Sequence, residues 1–207
     1  MHDQHFLPWI GTLFPAHPNR GLRLLVLGES HYGELGTETP EFTNTVVLGG
    51  AIQRRNRFFT SAAKLVLGVP TGMYLTTERR VEFWQSVAFY NYIPTFVGAT
   101  ARIRPSHEHW RAAVHPFGKV LTQLRPHAVL VLGKALWHHL NGLVPIDDHP
   151  ELSRLPIPDS AGAAAIVTMA EHPSAFGFKL GEWQPRVQSM IKMTGIDSPF
   201  RSGDTAA

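Results

Sequence analysis

The chain of 207 residues contains no cysteine. That absence excludes disulfides, thiolate nucleophiles, zinc sites built on cysteine and iron–sulfur clusters. No apolar run approaches the ~18 residues that a membrane span requires, so no membrane partner is expected. The opening MHDQHFLPWIG lacks a basic stretch followed by an apolar one, which predicts no secretory leader and a cytoplasmic location. His107-Glu108-His109 and His138-His139 lack the helical spacing of an HExxH site, so no metal is expected. Neither a P-loop nor a GxGxxG fingerprint is present, and no cofactor is expected.

What is present is ordinary globular material. Hydrophobic residues make up 43% and charged residues 17%, enough to form a core without metal or disulfide staples. The length predicts one domain, residues 21–196, with a Pro-, His- and aromatic-rich lead-in over 1–20 and a Ser/Gly/Ala-rich tail over 197–207. A net charge of +3 permits an anionic partner without requiring one.

Two apolar runs each end in glycine, LRLLVLG (22–28) and HAVLVLG (127–133). Continuous apolar character predicts strands buried on both faces, as in a parallel sheet. SVAFYNYIP (86–94) and AAAIVTMAEHPS (163–174) predict two further strands, the last with a polar tip. Residues 29–44 predict a polar turn. Helices are predicted over 53–67, 77–84, 110–124, 134–140 and 183–193. Alternating strands and helices predict an α/β fold, a three-layer α/β/α sandwich with a largely parallel central sheet. Ligands of such sheets sit beyond the carboxyl ends of the strands, so Glu29 to His31, Tyr90 to Pro94, Lys134 and Glu171 to Ser174 should meet at one crevice.

Four segments carry the candidate chemistry, each at a predicted strand end: Gly28-Glu29-Ser30-His31-Tyr32, Asn91 within VAFYNYIP, LVLGKALWHHL, and Glu171-His172-Pro173-Ser174. In this order they resemble the uracil-DNA glycosylase superfamily, over roughly Leu22 to Phe178. The resemblance implies hydrolysis of the N-glycosidic bond of a flipped base in DNA, single-stranded DNA included, or binding of a free nucleobase, by a monomeric protein. It implies that Glu29 activates or positions water, Asn91 reads the base edge and His172 stabilises the departing anion. Gly28, Ser30, His31, Tyr32, Pro173 and Ser174 would line the substrate, and the ring that stacks on the base would be Phe42 or Tyr32. Arg54, Arg55, Arg57 and Lys134 would hold phosphates and Phe176 would enter the stack; Arg79-Arg80 and the Arg102/Arg104 pair are further basic clusters, read as solvated faces.

The chain also departs from that family. Ser30 stands where the best-known branch has an aspartate beside the sugar, His31 replaces the usual proline, and the cysteines of the iron–sulfur branch are missing. Two alternatives therefore stay open. One is a non-catalytic nucleic-acid or nucleobase-binding protein of the same fold. The other is an unrelated hydrolase using Glu29 and His31 as an acid–base pair.

Overall fold

The computed structural model describes residues 5–16, 21–100, 103–143 and 152–197. Six strands form one mixed sheet: β1 (Trp9–Ile10), β2 (Leu24–Gly28), β3 (Ala88–Asn91), β4 (Ala128–Leu132), β5 (Ser153–Pro156) and β6 (Ala164–Ala170). Their spatial order is β1-β3-β2-β4-β6-β5. The four central strands run parallel and the two edge strands antiparallel. Every residue of β2, β3 and β4 is buried, which is why those segments read as unbroken apolar runs.

Among the described residues seven α-helices cover the sheet: α1 (Phe42–Val47), α2 (Arg57–Leu67), α3 (Thr77–Gln85), α4 (His107–Ala112), α5 (Val114–Leu124), α6 (Lys134–Leu143) and α7 (Leu180–Met193). On one face, Val47, Phe59, Ala63, Phe83, Trp84, Val187 and Met190 from α1, α2, α3 and α7 pack on Leu24, Val26, Phe89 and Leu130. On the other, Trp110, Phe117, Leu121, Leu136 and Leu140 from α4, α5 and α6 pack on Leu25, Leu27, Tyr90 and Val129. The α/β sandwich expected from the sequence is the observed architecture. The chain leaves β2 towards the first face and β4 towards the second, and this divergence opens a crevice at their carboxyl ends.

Several boundaries differ from the sequence expectation, each for a local reason. The helix predicted from Gln53 starts at Arg57, because Asn56 takes the cap and accepts a hydrogen bond from the Phe58 N–H at 2.8 Å. The end of the predicted turn, from Phe42, is helical, and α1 runs into a π-helical segment, Leu48–Gln53. Gly49 and Gly50 give that segment poor intrinsic propensity. Burial of Val47 and Ala51 compensates, and the buried Arg80 side chain donates to the carbonyls of Ala51 and Arg54. The predicted helix 110–124 is two helices that part at Ala113. Pro116 has no N–H to offer the Ala112 carbonyl, so α4 cannot continue, while the first turn of α5 accepts a proline.

The lead-in is also more than a surface segment. Trp9 and Phe6 are buried, Trp9 Nε1 donates to the Trp84 carbonyl at 2.8 Å, and β1 closes one sheet edge against β3. The strands predicted over 86–94 and 163–174 are shorter, Ala88–Asn91 and Ala164–Ala170, and their distal halves become loops. Arg102 and the tail beyond Asp197 lie outside the described residues.

Candidate functional site

A cleft of about 660 Å³ opens at the carboxyl ends of β2, β3, β4 and β6. The segments expected to converge do so in part: of 90–94 only Asn91 reaches the cleft, while Tyr90, Tyr92 and Ile93 turn into the core. Gly28 to Tyr32, Asn91, Lys134, Glu171, His172 and Ser174 all line it. Sheet register brings the first two together, since Gly28 is the residue opposite Asn91. Past the strands, the Tyr92 and Ile93 N–H groups donate to the Gly28 and Glu29 carbonyls at 2.9 and 3.0 Å, so both loops leave as a tied pair.

The Asn91 amide presses against the Gly28 backbone. A Cβ added at position 28 would stand 2.2 Å from Asn91 Oδ1, so only glycine leaves the amide in this place. Asn91 is buried and lines the cleft. A side-chain amide carries one acceptor oxygen and two N–H donors.

Glu29 is nearly covered, at 14% side-chain exposure, and its Oε2 lies 3.3 Å from the Arg104 guanidinium. Burial raises the carboxyl pKa, and Arg104 opposes that rise through charge and hydrogen bond. The Ser30 hydroxyl is buried in the cleft wall with no hydrogen-bond partner among the described residues.

The turn His172 to Ala175 holds His172. The Ser174 N–H donates to its Nδ1 at 3.2 Å and the Ala175 N–H to its carbonyl at 2.8 Å. Burial, then the positive charge of Arg104, lowers the imidazole pKa. With Nδ1 accepting, the neutral ring carries its proton on Nε2, where it can donate. Phe58 flanks it, ring centroids 5.1 Å apart. Lys134 pairs with Glu171 at 3.1 Å on the same rim.

Some of the expected residues are placed elsewhere. Phe42 does not line the cleft; its ring sits among Phe6, His31 and Phe96 at 5.2, 5.1 and 4.7 Å. Tyr32, the other expected ring, lines the cleft, and so does Phe58, two residues past the α2 cap. The His31 imidazole is buried with Nε2 on the Thr43 hydroxyl at 3.2 Å, and burial lowers its pKa to about 4. His31 thus lines the cleft with its ring held neutral by burial. Pro173 is buried behind the turn. Arg54, Arg55 and Arg57 are not in the cleft wall: Arg55 lies over the Tyr74 ring at 3.9 Å and Arg57 faces a neighbouring groove. Phe176 is fully exposed on the loop beyond the His172 turn.

Arg104 was legible only as one of a basic pair. Its place against Glu29 is set by the loop between β3 and α4, and no spacing signals it. Two further histidines have structural partners: His109 forms a capping box with Ser106, and His139 stacks on Trp110 at 4.1 Å. Among the described residues no group of three or more His, Asp or Glu could hold a metal ion. No described helix is long and apolar enough to cross a membrane.

The fold and cleft define an α/β sandwich with a strand-end site. No family model and no curated protein matches the chain. Among solved structures, one similar chain is a domain of unknown function (DUF1537) from Bordetella bronchiseptica, solved with bound citrate as a domain-swapped dimer. Its TM-score is 0.31 at 11% identity, over 82% of this chain and 41% of that one. The chain thus spans less than half the length of that structure.

Proposed function

We propose that the protein is a divergent relative of the uracil-DNA glycosylases that hydrolyses the N-glycosidic bond of a flipped base in DNA. The observation that carries the reading is the meeting of Glu29, Asn91 and His172, from the ends of three parallel strands, around one cleft. Its volume falls within the ~300–1,000 Å³ span of small-molecule sites.

Each group suits a part of the reaction. Asn91 pairs with the base edge, and Phe58 offers a face for stacking, which contributes about 1–3 kcal/mol per base. As the C1′–N bond breaks, its electron pair leaves with the base, and the Nε2–H of His172 donates to the carbonyl oxygen that gains charge. The sugar becomes an oxocarbenium-like cation. Water adds to C1′ and gives its proton to the Glu29 carboxylate. A carboxylate ~4 Å from that cation contributes about 4 kcal/mol at an effective dielectric near 20, roughly a thousandfold in rate. Ser30 brings no charge of its own, so in this scheme the whole electrostatic share falls to Glu29. A cytoplasmic, monomeric protein is part of the same reading.

The test is incubation of purified protein with single- and double-stranded oligonucleotides carrying uracil, hypoxanthine or a mismatched base. Alkali-labile sites that vanish in Glu29→Ala and Asn91→Ala establish the reaction. The uncharged Ser30 favours one second reading, a binding protein that keeps the cleft without the chemistry. Salt-sensitive DNA binding with no product from any substrate would decide for it.

A further inference from the structure

A second groove, of about 560 Å³, lies beside the cleft and is lined by Arg57, Ser61 and Lys64 of α2, by Thr71, and by Lys179 and Leu180 at the start of α7. We propose that this groove is a track for the phosphate backbone of a single-stranded nucleic acid whose neighbouring base occupies the cleft. The proposal rests on the reading of the cleft as a base site, and adds to it the path of the flanking strand.

Cleft and groove share a wall. Asn56 and Phe58 face the cleft while Arg57, between them, faces the groove. On the opposite loop, Ser174 and Ala175 face the cleft while Phe178 and Lys179 face the groove. A chain with one residue beside Phe58 and His172 therefore reaches Arg57 and Lys179 by crossing this wall. Phe176, wholly exposed, stands on the loop between them.

The charges are arranged for exchange. Arg57 and Lys179 are exposed, and Lys179 holds only the exposed Glu182 at 2.9 Å. Such a pair contributes little and gives way to a phosphate. Lys64 donates to the Met73 carbonyl, which fixes its ammonium at the groove edge. Ser61 and Thr71 add hydroxyl donors. Set against Glu182, three cations leave the groove positive.

Two exposed aromatic rings decide for a single strand over a duplex. Phe176 stands wholly exposed on the loop between cleft and groove, and Tyr74, 68% exposed with the Arg55 guanidinium on one face, follows Gly72 of the groove wall by two residues. Cations interleaved with open aromatic faces suit unstacked bases, which a duplex does not offer.

The experiment is fluorescence anisotropy of the full-length protein with short labelled single strands, with and without uracil, between about 50 and 300 mM salt. Wild type should bind with a steep salt dependence. Arg57→Ala/Lys64→Ala/Lys179→Ala should lower the slope of log K against log salt by roughly 2, at about 0.7 for each phosphate no longer neutralised. Arg111→Ala/Lys119→Ala/Lys192→Ala, three cations outside the groove, should leave it nearly unchanged. Tyr74→Ser and Phe176→Ser should each weaken binding about 5- to 100-fold. Thermal melts check that each variant is folded, and the Tyr74 and Phe176 variants, exposed in the fold, report even if the triple variant is not. An unchanged slope in the groove variant, duplex bound more tightly than single strand, or no binding by wild type overturns the proposal. A reduced slope without any base release upholds the track and refutes the glycosylase reading. Base release with an unchanged slope does the reverse.

Discussion

Replacing Glu29 by glutamine is expected to make the protein more stable at neutral pH while removing its base-releasing activity. The carboxyl is 14% exposed, and burial raises its pKa more than Arg104 lowers it. In strong acid both folded and unfolded chains hold the proton, and the group contributes nothing to pH dependence. As pH climbs through the ordinary carboxylate range the unfolded chain ionises first, so stability falls until the folded carboxyl ionises too. Above that point a constant deficit remains, and glutamine removes it. Arg104→Ala should act in the opposite direction. At 3.3 Å and an effective dielectric near 20 the bare attraction is about 5 kcal/mol. Arg104 is 63% exposed, however, and solvent screening reduces the net contribution to ~1 kcal/mol. For a chain of this length that is a loss of about 2–4 °C in Tm. Thermal melts of wild type, both single variants and the double variant, from acid to neutral pH, measure it. The Arg104→Ala penalty should disappear in acid and in the Glu29→Gln background. Destabilisation by Glu29→Gln at neutral pH, or an Arg104→Ala penalty that persists in acid, would refute the reasoning.

The buried His31 predicts acid sensitivity of its own. It stays neutral in the fold down to about 4 whereas an ordinary histidine titrates near 6.5, so stability should fall by up to ~3 kcal/mol as pH drops through that window. Urea titrations at neutral pH and near the lower limit should show His31→Gln losing most of this dependence. Phe58 and Phe42 should separate cleanly: Phe58→Ala weakens binding of a uracil-containing oligonucleotide about 5- to 100-fold, whereas Phe42→Ala leaves binding nearly intact and costs ~2 kcal/mol of stability. Gly11→Ala would place a Cβ 2.2 Å from the Gln85 carbonyl oxygen, which is backbone and cannot step aside. Denaturant unfolding should register a loss of about 1–3 kcal/mol, and amide exchange should quicken along β3 as β1 detaches.

The parts of the fold that were legible are those where burial on both faces leaves a mark in the sequence. LLVLG (24–28) and AVLVLG (128–133) are apolar throughout because helices cover both sides of β2 and β4, and the glycine at the end of each marks the exit to the site. β5 escaped notice because an edge strand of four residues, buried at Ser153 and Leu155 alone and ending in proline, carries no such run. The helical stretch 42–53 was hidden by its glycines, since its stability comes from packing and from Arg80 rather than from propensity. Within the site, the strand-end residues were legible because topology alone brings them together. The choice of Phe58 over Phe42 depended on which residue takes the helix cap. The Arg104 contact depended on how a loop folds back, and neither leaves a periodic trace.

The contact between Gly28 and Asn91 has an evolutionary consequence. These residues face each other across two strands, and the amide occupies the volume that a side chain at position 28 would need. Position 28 cannot drift alone: any lineage that acquires a side chain there must first give up the amide at 91 or move it away. Among related chains a side chain at 28 should therefore appear only where the amide at 91 has changed. A group keeping glycine at 28 while varying 91 would mark descendants that have changed their ligand without yet closing the space that admitted it.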